Sequence, residues 1–191
     1  MLNCKSMLKN ISVGQSAIPL KYLLAGLEEE YTKLKSSIQL MYVEPKLMTI
    51  RMYYKAPSST VPNLKYDVVL EFHGNRLVKI NSETPFKVYC NSPSFYFRYA
   101  NTFKNHNSLL FVEKYPALVE DEAKVRNPTQ VSGFDKYVYS CLRLSMKDTI
   151  ENLRSTQYLE NPPEVETFNK KRFEYIKYQK LKKIAKDGII V

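Results

Sequence analysis

The sequence predicts an α+β fold: an antiparallel sheet drawn from residues 47–90, packed against helices, with a basic helical arm at the C-terminus. Three observations carry that expectation. Apolar residues alternate with period two through 47–90, as strands with a buried face require. After Pro93 the apolar spacing changes to four, the spacing of one helix face. The last stretch gathers cationic charge around a thin apolar stripe. A chain of 191 residues is long enough for one sizeable core. The expected organisation is a single α+β domain over 1–167, with an N-terminal helical segment, followed by a basic arm over 168–191.

In chain order, Pro19 stands where proline opens a helix, and Leu20, Leu23, Leu24, Leu27, Tyr31, Leu34 and Ile38 follow at helical spacing. Glu28, Glu29 and Glu30 then fall on or beside the solvated face. Met48, Ile50, Met52 and Tyr54 point one way along a strand, Thr49, Arg51 and Lys55 the other. Residues 56–63 are a loop by composition. Tyr66, Val68, Leu70 and Phe72 alternate again, opposite Asp67, Glu71 and His73. Gly74-Asn75 is a turn signal, and residues 76–80 complete a hairpin. A turn over 81–85 leads to a strand over 86–90, with Phe86, Val88 and Cys90 on one side. Such short links favour an antiparallel meander.

Ser92-Pro93 reads as an N-cap followed by proline at the first helical position. Phe95, Tyr99 and Phe103 follow four apart, which predicts a helix over 93–104; the alternation of Phe95, Phe97 and Tyr99 is the competing strand reading. Residues 109–112 are a short apolar run, and 113–127 a helix fragment plus loop. Asp135 caps a helix over 135–158, in which Val138, Leu142, Met146 and Ile150 repeat every four, with Cys141 and Leu153 on the same side. Asn161-Pro162-Pro163 ends it. Thr167 caps a tail helix whose apolar stripe is Phe173, Ile176, Leu181 and Ile184.

Hydrophobic residues at 44% and charged residues at 25% are ordinary for folded chains, so stability calls for no metal or disulfide. Cys4, Cys90 and Cys141 are far apart and form no Cys-x-x-Cys pair; three free thiols in a reducing compartment are expected. The first twenty residues hold no apolar stretch of the signal-peptide kind, and no run approaches 18 apolar residues, so no transmembrane helix is expected. The 15 Tyr and 9 Phe suit interfaces, and equally suit a general drift toward Lys, Asn and Tyr.

The residues that carry catalysis are sparse. His73 sits at a strand end and His106 in a polar loop, neither with a partner at metal-ligand spacing. Cys141 lies in an apolar helix pattern, where it reads as core. Five glycines leave no phosphate-cradling loop. Glu120, Asp121 and Glu122 lack the apolar pocket that would tune one acid upward. The expectation is no enzyme, no catalytic residue, no metal and no cofactor. That reading fails if His73 or His106 stands, in a concave site, within hydrogen-bond reach of Cys141 or a buried carboxylate.

The positive signal is the tail. Lys170, Lys171, Arg172, Lys177, Lys180, Lys182, Lys183 and Lys186 face only Glu174 and Asp187 within 168–187, which places six of the chain's ten net positive charges there. These residues, with Tyr175 and Tyr178, are the candidate partner-binding set. Three readings stand: a solvated charged helix, a contact for an acidic protein neighbour, or a contact for nucleic acid. In the last, lysines neutralise phosphates and the tyrosines stack on unpaired bases, while lysine in place of arginine gives little bidentate base readout. The segment is expected to be an arm outside the core, so that deleting 168–191 leaves the body folded with little change in melting temperature.

The stretch FKVYCNSP at 86–93, continuing through SFYFRYANTF, together with Asn127-Pro128 and DKYVY at 135–139, is similar to segments of small proteins encoded by tailed bacteriophages, some of them virion components. The resemblance covers roughly residues 66–145 and brings no functional residue with it. It implies a non-enzymatic structural or assembly protein at the head–tail junction or tail. Such a protein acts in a homo-oligomer with other virion proteins, without a membrane partner, in the host cytoplasm before assembly and in the virion after it. The alternative is a nucleic-acid-binding accessory protein that acts in the cell through its basic helix.

Overall fold

The computed structural model describes residues 1, 3, 20–74, 80–115, 135–147 and 161–169, the side chains of 20–25 and 147 excepted. Its centre is a four-stranded antiparallel meander in the order β1 (Gln39–Pro45), β2 (Thr49–Pro57), β3 (Lys65–His73), β4 (Phe86–Cys90). The α+β class is as expected. Register places Ile50, Met52, Tyr54 and Ala56 opposite Phe72, Leu70, Val68 and Tyr66, and Phe86, Val88 and Cys90 opposite Phe72, Leu70 and Val68. All of these side chains are buried, the Val, Leu, Ile, Phe and Met among them contributing roughly 1.5–3 kcal/mol each where burial is complete.

Helices cover this face. Helix α1 (Leu20–Leu34) packs on α4 (Lys136–Lys147). Glu28 and Glu30 reach across to Arg143 at 3.1 Å and Lys136 at 2.9 Å, so two of the three glutamates serve the helix pair, and Glu29 stays on the solvated side with Lys33. The hydroxyl of Tyr54 lies 2.6 Å from that of Ser145, and the rings of Tyr66 and Tyr137 pack 5.1 Å apart, which seats α4 on the sheet. The helix predicted over 93–104 forms as α2 (Pro93–Arg98) and α3 (Ala100–Asn105), interrupted at Tyr99. Ser92 Oγ accepts from Phe95 N–H and Pro93 follows it, as the sequence indicated. Asp135 accepts the Tyr137 and Val138 N–H groups at 3.0 and 3.1 Å, the expected cap of α4; residues 148–158 lie outside the described set.

Two expectations need correction. The sheet begins at Gln39, eight residues before 47, with the additional strand β1. Its Leu40, Met41, Tyr42 and Val43 are all apolar and all half-exposed, with a register shift between Leu40 and Tyr42, so no period-two pattern marks it. The hairpin partner of β3 is β4: β3 is hydrogen-bonded on both sides over Val68–Phe72, to β2 and to β4. Residues 75–79, where the sequence placed a turn and most of a strand, lie outside the described residues.

Beyond β4, Val88 donates to Ser108 O and accepts from Leu110 N–H, both at 2.8 Å, so residues 108–110 cover that edge. Phe111 then takes a left-handed φ of 49°, an unfavourable conformation for a bulky residue. Its ring is held 5.6 Å from Tyr89 and under the Arg51 guanidinium. A short 3₁₀ turn, Val112–Lys114, leads to buried Tyr115.

Candidate functional site

The basic residues singled out by the sequence, Lys170 through Lys186 with Tyr175 and Tyr178, all lie outside the described residues. The structure does describe the chain immediately before them. Residues 161–169 have no regular secondary structure and run as a strap beside the second face of the sheet, the face that carries Asp67, Val69 and Glu71.

The strap is held by side chains that grip its backbone. Asp67 Oδ2 accepts the Glu166 N–H at 2.9 Å. The Tyr89 hydroxyl donates to Glu166 O, and Asn91 Nδ2 donates to the same oxygen at 3.3 Å. Lys114 Nζ donates to Val165 O at 2.8 Å, and Lys114 O accepts the Phe168 N–H at 3.2 Å. Two side chains enter the body: Val165 is 7% exposed and Phe168 4%. The Phe168 ring stacks on Tyr96 with centroids 4.0 Å apart and planes 10° apart. This corrects the proposed boundary of the arm. Phe168, placed at its first position, belongs to the core.

The sequence accounts for the grip. Asp67 interrupts the apolar run of β3, and its Oδ1 pairs with Lys55 Nζ at 2.5 Å, which makes a buried carboxylate tolerable. Burial, with the Asp67 charge nearby, pushes the Tyr89 hydroxyl far above its ordinary value, so it stays a donor. Tyr115, also raised by burial, ties both backbone groups of Cys90 with its hydroxyl, at 3.0 Å each, and so fixes the end of β4 from which Asn91 projects. A cavity of about 10 Å³ between Lys55, Asp67, Tyr53 and Pro163–Val165 has room for about one water, far less than a small-molecule site needs.

The residues considered for catalysis are placed as follows. His73 Nε2 lies 2.9 Å from Glu71 Oε1, an ion-pair approach without an aligned hydrogen bond. His73 does therefore reach a buried carboxylate. That carboxylate already receives Arg51 through both Nε and Nη2. Burial alone would raise the Glu71 carboxyl, but Arg51 and then His73 outweigh it and hold it below the ordinary value, which makes Glu71 a weak base and a poor partner for proton transfer. His106 is exposed at the end of α3. Cys90 and Cys141 are free and fully buried, and burial pushes both thiols up, so they stay protonated and unreactive. Cys4 and the 120–122 carboxylates lie outside the described residues. Among the described residues, no three His, Cys, Asp or Glu side chains stand where they could hold a metal ion, and no helix is long and apolar enough to cross a membrane.

Compared with family models, curated proteins and solved structures, the chain matches none.

The strap is hard to see in the sequence, because Asn161-Pro162-Pro163 reads only as the end of a helix. The usable signal was the apolar pair Val165 and Phe168 beyond it, at a spacing that an extended segment can seat in two holes. Asp67, a carboxylate inside an apolar strand, was the matching signal on the body.

Proposed function

We propose that this chain is a non-enzymatic assembly component of a tailed-phage particle, acting at the head–tail junction or tail through contacts with other virion proteins and with copies of itself. Its cationic contact is the run Lys170–Lys186. One observation supports this reading most directly: Phe168 is buried on Tyr96, so the basic run begins two residues after a fixed point on the body. A cationic segment rooted this way presents its charge at a defined place on each copy. An acidic neighbour in an ordered assembly can meet such a segment repeatedly. The resemblance to phage proteins adds the setting; its stretches 86–103 and 135–139 fall on β4, the Ser92 cap, α2, α3 and the start of α4, while Asn127-Pro128 lies outside the described residues.

The test is twofold. Mass spectrometry of purified particles from the source should find the chain at fixed stoichiometry. Reversing Lys180, Lys182 and Lys183 to Glu in the full chain should remove it from particles without changing its melting temperature, and raised salt should weaken the same contact. A chain absent from particles that binds nucleic acid with a steep salt slope would replace this reading with that of an accessory protein acting in the cell.

A further inference from the structure

The strap contacts have the form of peptide recognition. The body supplies donors and acceptors to the strap's main chain: Asp67 and the Lys114 carbonyl accept from one N–H each, Tyr89 and Asn91 donate to one carbonyl, and Lys114 Nζ donates to the carbonyl before it. It also supplies two seats, one for Val165 and one for Phe168 on Tyr96. Main-chain hydrogen bonds giving affinity and spaced side-chain seats giving selectivity are how folded domains take up extended peptides. We propose that this groove is an exchangeable docking site whose second occupant is the 161–169 strap of another copy of the same chain. The inference deepens the assembly reading, and rests on it for the need to join copies.

Three features favour this occupant. The strap is the ligand seen in the groove, so a second copy brings an identical and already complementary segment. Asn161 and Pro162 each precede a proline, which holds both in extended backbone and keeps the strap presentable whether it lies on its own body or on another. Thirteen residues, 148–160, join the strap to α4; covalent geometry lets them span at most about 45 Å, well beyond the radius of gyration of about 16 Å that a folded chain of this length has. In an isolated copy the tethered strap competes at an effective concentration in the millimolar range, so the bound-in-cis form prevails when copies are dilute. When they are packed together, exchange keeps every contact and adds the link between bodies.

Complementation of two full-length variants tests it. Phe168→Ala weakens the strap and leaves its groove intact; Tyr96→Ala weakens the groove and leaves its strap intact. By light scattering over a concentration series, each variant alone should stay at the 22.3 kDa of one chain. The equimolar mixture should shift toward twice that mass as the intact strap of one enters the intact groove of the other. A mixture that remains at the single-chain mass overturns the proposal, and so does either variant alone dimerising as readily as the mixture, because the contact is then elsewhere. Phe168→Leu and Tyr96→Leu, which keep apolar volume at the stack, serve if the alanine variants do not fold. All four variants retain Lys170–Lys186, so failure here leaves the charge-reversal test of the assembly reading unaffected.

Discussion

Asp67 and Glu71 stand four residues apart on one strand face, with Val69 between them, and their different partners give them different roles. Asp67 divides its carboxylate between Lys55 and the Glu166 N–H, so it joins the sheet to the strap. Glu71 is held by Arg51, whose other guanidinium nitrogen reaches Glu44 at 3.4 Å. The Glu71 carboxyl lies below its ordinary value of 4.5. A depressed carboxyl stabilises the fold above its unfolded value and loses that contribution as pH falls through the folded one. Glu71→Gln should therefore cost about 1.5–3 kcal/mol at neutral pH, the range for a hydrogen bond to a charged group, and less at an acid pH well below 4.5. Urea midpoints of the two proteins at both pH values check this, and a gap that does not narrow in acid would count against the assigned role. Asp135 acts in the opposite direction. Burial raises its carboxyl above 3.8 despite the two N–H groups it accepts, so its contribution falls as pH rises.

At the scale of elements, the helix starts are set by single side chains. Ser92 and Asp135 each accept backbone N–H groups of the first turn, and Ser92 Oγ also lies 3.4 Å from Asp135 Oδ2, so the two caps meet in the core. Asp135→Ala removes the cap of α4, the helix that seats α1 on the sheet, and should cost about 1–2 kcal/mol. Asp135→Asn keeps an acceptor and buries no charge, and should cost less than Asp135→Ala. Equilibrium unfolding in urea distinguishes the two, and equal losses would show that the charge, not the cap, is what matters.

For the whole molecule, the described body runs to Asn169, and the proposed arm would begin beyond it. Removing 170–191 should leave the melting temperature nearly unchanged. Removing 161–191 takes away Val165 and Phe168 as well, about 1.5–3 kcal/mol of burial each, and leaves Asp67 with one partner fewer. Thermal melting of the two truncated chains beside the full chain checks this. Equal stability of both would mean that the strap contributes nothing to the fold.

The sequence by itself determined much of this architecture. Period-two spacing placed β2, β3 and β4, the helical spacing after Pro19 placed α1, and the switch to period four after Pro93 placed the later helices. Ser92 and Asp135 identified themselves as caps, because a cap is a local hydrogen bond between a side chain and the next turn. The cationic run was legible as charge alone. What the sequence left open depends on distant contacts. β1 is an edge strand without alternation, and only its pairing with β2 makes it a strand. Tertiary pairing assigned β4 to β3. Phe168 belonged by composition to the arm, and only the Tyr96 face, some seventy residues earlier in the chain, makes it core. The groove is likewise assembled from Asp67 on β3, Tyr89 on β4, Asn91 just beyond it, Tyr96 on α2 and Lys114 on the 3₁₀ turn. No sequence period brings such groups together; the packing of the sheet against its own C-terminal strap does.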